Sequence, residues 1–233
     1  MKALIVSAQR TGGQFLAACL SNHPDVHCLR EEPFKRDAIW QQRLRLGHAR
    51  LLDFVLSEPF YKVGMCRLTY DQAFNPEIKK YILKSKPHII HLVRDPLETV
   101  TSTLLAKLEI LRGILRHDVS GDFVDDEVLG VGAAVVIERV KHLLIQQAHF
   151  CEIFGKLNIL TLNYADLTDP LMPRALKNAT TIKICHFLGL ESAYLLWAHN
   201  HKMHKRPIES YYSRWPEIKA ALEVLWHTQP PQS

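Results

Sequence analysis

"LIVSAQRTGGQFLAACL", residues 4–20, runs from an apolar segment through a turn holding Arg10, Gly12 and Gly13 into a helical pattern. That is the layout expected of a phosphate cradle. Glycines permit positive φ and close backbone approach, and the first N–H groups of the helix point outward toward an anion. Arg10 adds a planar cationic fork suited to phosphate or sulfate oxygens. An ATP-binding loop of the GxxxxGK[ST] type would carry lysine and a hydroxyl after the glycines. Here Gln14 and Phe15 follow instead. Read alone, the turn is either an anion site without the magnesium-nucleotide signature or a plain glycine-rich turn with a surface arginine.

Working outward, short apolar runs alternate with helical patterns. Residues 3–8, 25–29, 61–66, 88–93 and 158–163 read as strands, and 14–22, 44–57, 75–84, 97–115, 128–155 and 173–188 as helices. This alternation predicts an α/β fold, three layers with a central parallel sheet covered on both faces. Ligands of such sheets bind at the carboxyl ends of the strands. The stretches 116–127 and 198–215 fit no period, and nothing marks a domain boundary, so one domain over 1–233 is expected.

Composition narrows the class. The 233 residues are 47% hydrophobic and 23% charged, as in a folded globular protein. No apolar run reaches the ~18 residues of a membrane span; "VLGVGAAVVIERV" is interrupted by Glu138 and Arg139. "ALIVSA" is too short for a signal peptide and reads as a first strand, so a cytoplasmic protein is expected. The net charge of +5 comes without a Lys/Arg block of the kind a nucleic-acid arm needs, and an anionic small ligand accounts for it equally well. Cys19, Cys28, Cys66, Cys151 and Cys185 form no CxxC pair; each lies among apolar neighbours and is expected to be a buried, reduced thiol.

A second constellation closes the fourth strand. "HLVRDPLETVTSTLL" places Arg94 at the strand's carboxyl end, Asp95 at a helix N-cap, Pro96 in the first turn and Ser102 eight residues beyond Arg94. A strand-end arginine and a helix-borne hydroxyl together offer two donors to one phosphate, unless Arg94 pairs structurally with an acid.

Taken together, these motifs resemble those of sulfotransferases that use 3′-phosphoadenosine 5′-phosphosulfate (PAPS). Such proteins show a strand followed by [PQ]-[RK]-S-G-T-[ST]-x-L, to which "AQRTGGQFLAACLSNHPDV" (8–26) is similar. They also show R-[DN]-P with a serine eight residues on, as Arg94 and Ser102 do. "REEPF" (30–34), "RLTYDQ" (67–72), "LNYADL" (162–167), "HFLGL" (186–190) and "KRPIESYYSRWPEIKAAL" (205–222) extend the resemblance in order, and "HPDV" and "EEPF" tilt it toward carbohydrate-type members. The chain departs from the pattern at Gly13, where threonine is usual, at Gln14, where Ser or Thr is usual, and at Ala165, where glutamate is usual.

The resemblance implies a P-loop-like sulfotransferase fold, PAPS as co-substrate and no metal. Arg10 and the Thr11, Gly12, Gly13 and Gln14 segment would hold the phosphosulfate, and Arg94 with Ser102 the 3′-phosphate. Glu32 is the implied general base, with the adjacent Glu31 as alternative. A hydroxyl-bearing small molecule, lipid or carbohydrate is the implied acceptor, its pocket built from loops near 35–50 and 110–128. Arg67 would contact a sulfate oxygen or the acceptor, or else be a surface arginine. Lys202, Lys205 and Arg206 would close over the nucleotide or form a solvated charge run. His91, inside a strand, reads as a satisfied core histidine. His199, His201 and His204 lack a carboxylate or cysteine at ligand spacing. Two rival readings are a P-loop kinase or nucleotide hydrolase, and a non-catalytic nucleotide-binding protein of the same fold. Oligomeric state is open.

Overall fold

A computed structural model describes residues 1–29, 47–57, 59–111, 129–169, 172–192, 194, 196–198 and 207–228. Five strands form one parallel sheet: β1 (Lys2–Ser7), β2 (Val26–Leu29), β3 (Val63–Thr69), β4 (His88–Val93) and β5 (Ile159–Asn163), in the order β2-β3-β1-β4-β5. The chain leaves β1 toward β2 and β3 and later returns on its other side with β4. The carboxyl end of β1 is therefore a topological switch point, where open α/β sheets bind ligands. The five sequence-predicted strands are all present; the third begins two residues later than expected and runs on to Thr69.

The chain groups into two compact units, Met1–Arg94 with His149–His201, and Asp95–Ala148 with Lys202–Ser233. In the first unit both faces of the sheet are covered. On one face, helix α1 (Gly13–Leu20) buries Leu16, Ala17 and Leu20 against Ile5, Met65 and Ile90. On the other, α2 (His48–Leu56) crosses β3 so closely that a side chain at Gly64 would meet the Leu56 carbonyl at 2.4 Å. Gly64 is thus a packing requirement. Short α3 (Tyr70–Ala73) follows β3 through a capping box made by Thr69 and Gln72, and α4 (Pro76–Ser85) is capped by the Asn75 side chain.

In the second unit, α5 (Pro96–Leu111), the first part of α6 (Ala133–Phe154) and α8 (Trp215–Thr228) enclose Leu97, Leu104, Val136, Val140, Ile218 and Leu222. Asp95 caps α5 as expected, its carboxylate accepting the Glu98 N–H at 2.9 Å. Gly155 ends α6, donating its N–H to the Cys151 carbonyl at 2.8 Å.

Two expectations need correction. The helix predicted over 173–188 starts only at Asn178, as α7 (Asn178–Phe187). Its first residues belong to β7 (Met172–Leu176), antiparallel to β6 (Thr168–Asp169). "MPRAL" contains good helix formers, but hairpin pairing and a bridge from Ala175 to Trp197 decide its state. Cys151 is exposed rather than buried, whereas Cys19, Cys28, Cys66 and Cys185 are buried thiols as predicted.

His91 is the core histidine the sequence indicated. It is 3% exposed, hydrogen-bonded through Nε2 to the Tyr70 hydroxyl at 2.7 Å and stacked on Phe150 at 4.2 Å. Burial lowers its pKa to about 4. Between about pH 6.5 and 4 an unfolded chain takes up this proton and the folded one does not, so stability falls on acidification through that window. Between pH 7 and 4.5, urea unfolding should show wild type losing about 2 kcal/mol more stability than His91→Gln, which keeps an acceptor for Tyr70. Parallel loss in both proteins would refute the assignment.

Candidate functional site

The turn between β1 and α1 takes two left-handed residues. Arg10 has φ 64° and Gly12 has φ 84°. The left-handed backbone is natural for Gly12, but it costs about 1 kcal/mol at arginine. Neighbouring strands hold the turn in this form. Arg94, the first residue after β4, donates from Nη1 to the Arg10 carbonyl at 3.0 Å. Its guanidinium also lies 4.3 Å from the centroid of the Tyr164 ring. Tyr164 follows β5, and because Val93 and Asn163 are paired in register, Arg94 and Tyr164 leave the sheet side by side. The Tyr164 ring in turn fills the space beside Gly12, where a Cβ would meet its Cε2 at 2.5 Å. Gly12 is required twice, by conformation and by space.

The hydroxyls of the turn are directed inward. Ser7 donates to the Ala8 carbonyl at 3.0 Å, and Thr11 donates to the same carbonyl. Both side chains are buried. What α1 offers outward is backbone: Gly12, at the N-cap, provides no side-chain cap, and the first turn contains no acid. The N–H groups of Gly13, Gln14 and Phe15 precede the first i→i−4 bond, which Leu16 makes to the Gly12 carbonyl at 3.0 Å. With Arg10 half-buried in the turn, the local field favours an anion.

Arg67 is the residue for which the sequence leaves two roles open. It is not a surface arginine: it is 7% exposed, lies within β3 opposite Ile5 of β1, and lays its stem against α1. A Cβ at Gly13 would meet Arg67 Cδ at 2.7 Å and Ser7 Oγ at 3.1 Å. The burial arises because β3 runs on past residue 66, where the sequence reading ends the strand, and carries Arg67 between buried Cys66 and Leu68.

The remaining candidates divide by location. Ser102 is buried on α5, in the second unit. Glu31, Glu32, Lys202, Lys205 and Arg206, the histidines at 199, 201 and 204, and most of the two expected acceptor loops lie outside the described residues. His23 of "HPDV" is structural: buried, it accepts the Asp25 N–H at Nδ1 and meets the Glu191 carbonyl through Nε2 at 3.0 Å. The "YADL" segment forms a 3₁₀ turn, Tyr164–Asp166, capped by Asn163. At Ala165, where glutamate is usual, the backbone carbonyl accepts the Lys177 ammonium at 3.0 Å. No group of three metal-ligating side chains occurs among the described residues. No described helix is long and apolar enough to cross a membrane.

A single methyl group tests the turn. Gly12→Ala should cost about 1–3 kcal/mol, since it combines a left-handed alanine with a clash against Tyr164. Chemical denaturation would measure it, and a loss below about 0.5 kcal/mol, the usual range for neutral surface changes, would refute the close fit.

No protein-family model and no curated protein sequence matches the chain. Among solved structures, a sulfotransferase from Alicyclobacillus acidocaldarius superposes with a TM-score of 0.51 at 15% identity, over 98% of this chain and 96% of that one. Mouse sulfotransferase SULT7A1, solved in complex with PAP (3′-phosphoadenosine 5′-phosphate), matches with a TM-score of 0.47 at 15% identity. That alignment spans 82% of this chain and 58% of the mouse protein. The five parallel strands in the order β2-β3-β1-β4-β5, flanked by helices, therefore form a sulfotransferase-like fold.

Proposed function

We propose that the chain is a PAPS-dependent sulfotransferase, moving a sulfuryl group to a hydroxyl of a carbohydrate, lipid or other small molecule. The observation that carries this reading is the braced turn after β1. It presents Arg10 and uncapped helix N–H groups at the switch point of a sulfotransferase fold. In this reading Arg10 and residues Thr11 to Gln14 cradle the phosphosulfate, Thr11 through its backbone N–H. Arg94 and Ser102 are the candidates for the 3′-phosphate.

Sulfuryl transfer asks of a protein what phosphoryl transfer does: in-line placement of the attacking and leaving oxygens, and charge stabilisation on the transferring group. Arg10 and the helix start supply fixed positive charge and donors, which need no reorganisation as negative charge moves to the leaving phosphate. Glu32, from the sequence resemblance, would take the acceptor's proton, a contribution of about 10²–10⁴ in rate. A P-loop kinase or hydrolase is disfavoured. Such a loop carries a lysine and then a magnesium-binding hydroxyl after the glycines, positions occupied here by Gln14 and Phe15, while Ser7 and Thr11 direct their hydroxyls to Ala8. A non-catalytic nucleotide-binding protein is the second reading, kept by Gly13, Gln14 and Ala165.

Titration with PAP should raise thermal stability, by about 2.7 kcal/mol at one hundred times its Kd, whereas AMP or ATP with Mg²⁺ should have less effect. Arg94→Ala and Ser102→Ala should diminish the response. No shift with PAP, or a preference for ATP with Mg²⁺, would overturn the proposal. Once an acceptor is established, Glu32→Gln should lower kcat by about 10² or more. Near-wild-type turnover would remove Glu32 from the base role.

A further inference from the structure

We infer that Arg67 and Gly13 are an interlocked pair: the Arg67 stem takes the side-chain space at position 13, so the turn meets its anion with a guanidinium where a hydroxyl would otherwise stand. The argument starts from space. A Cβ at position 13 would lie 2.7 Å from Arg67 Cδ and 3.4 Å from Cγ, with Ser7 Oγ at 3.1 Å on another side. These stem atoms are not the free end of a mobile chain. Arg67 is 7% exposed and its Cα is fixed in β3 by the register with Ile5. The stem cannot swing aside without leaving a buried strand position.

Gly13 shows no positive φ, so its lack of a side chain is not explained by backbone conformation. Packing explains it. One bond beyond Cδ lies Nε, itself enclosed, so the guanidinium begins beside the first residue of α1. Guanidinium is charged at every accessible pH and can only donate. Its charge adds to that of the helix start and of Arg10 in the same turn, and the combined field favours an anion. Arg67 is therefore a positioning residue for the turn and, on the sulfotransferase reading, a contributor to phosphosulfate affinity.

Two measurements separate the halves of this inference. In ligand-free protein, Gly13→Ala should lower Tm by about 4–8 °C, and Arg67→Ala should lower it as well. The double variant should be more stable than the sum of the two losses predicts, because the added methyl then has room. Additive losses would overturn the interlock. Should Gly13→Ala not fold alone, recovery of folding in the double variant supports the interlock, and failure to recover overturns it. For the second half, Arg67→Met keeps a stem of similar length without the charge. It should retain most of the Tm but bind PAP about tenfold more weakly or worse, with a shallower salt dependence. Unchanged PAP affinity in Arg67→Met would overturn the role of the guanidinium. A wild-type protein that ignores PAP would sink the sulfotransferase reading while leaving the ligand-free coupling to decide the interlock.

Discussion

The structure around β1 depends on a backbone that must turn within five residues from strand to helix with almost no side-chain room. Arg10 and Gly12 are left-handed, and Gly12 and Gly13 have their Cβ directions blocked by Tyr164 and Arg67. Three other strands supply the groups that close on the turn: Arg67 from β3, Arg94 after β4 and Tyr164 after β5. The sheet order makes this possible. With β1 between β3 and β4, residues far apart in sequence reach one turn without a long loop. The strain at Arg10 is offset by its carbonyl bond to Arg94, and Arg94 is itself steadied on the Tyr164 ring.

This arrangement has an electrostatic consequence. Two largely buried arginines, Arg67 and Arg94, stand in the same unit as a helix start that has no acid in its first turn. Burying guanidinium costs free energy unless it is hydrogen-bonded. Arg94 meets part of that need with the Arg10 carbonyl. A turn that concentrates donors and positive charge in one place, and turns its own hydroxyls inward on Ala8, would on the proposed reading receive an acceptor-rich ligand. Sulfate and phosphate groups have that character.

The fold is legible in the sequence because its signals there are local. Each strand is an apolar run ended by a turn, and β1 to β5 lie where those runs predict them. Local signals fail at "MPRAL", where composition favours helix and only the partner strand β6 determines the outcome. They fail also at Cys151, whose apolar neighbours in sequence point elsewhere around α6. The turn itself is legible, since glycines and Arg10 advertise it. Its bracing is not. Nothing local in "LNYADL" says that Tyr164 must fill the notch at Gly12, and nothing in "RLTYDQ" says that Arg67 is buried against Gly13. Those facts come from strand register, which a linear reading does not contain.

Gly13 shows how a departure from a motif can be misread in isolation. By sequence it is a lost hydroxyl, and a lost hydroxyl argues for a weakened cradle. In the fold, the volume beside it is occupied by an arginine stem that could not lie there beside any larger residue. A hydroxyl donates one hydrogen bond to an anion and carries no charge, whereas a guanidinium offers several N–H donors together with a full positive charge. On this inference the exchange would conserve donor capacity while shifting the site's balance from hydrogen bonding toward charge. A site tuned that way would hold an anion more tightly at low ionic strength and discriminate more by ligand charge than by fine shape. On this inference, the glycine that reads as a lost hydroxyl along the sequence would be, across the strands, a different way of holding an anion.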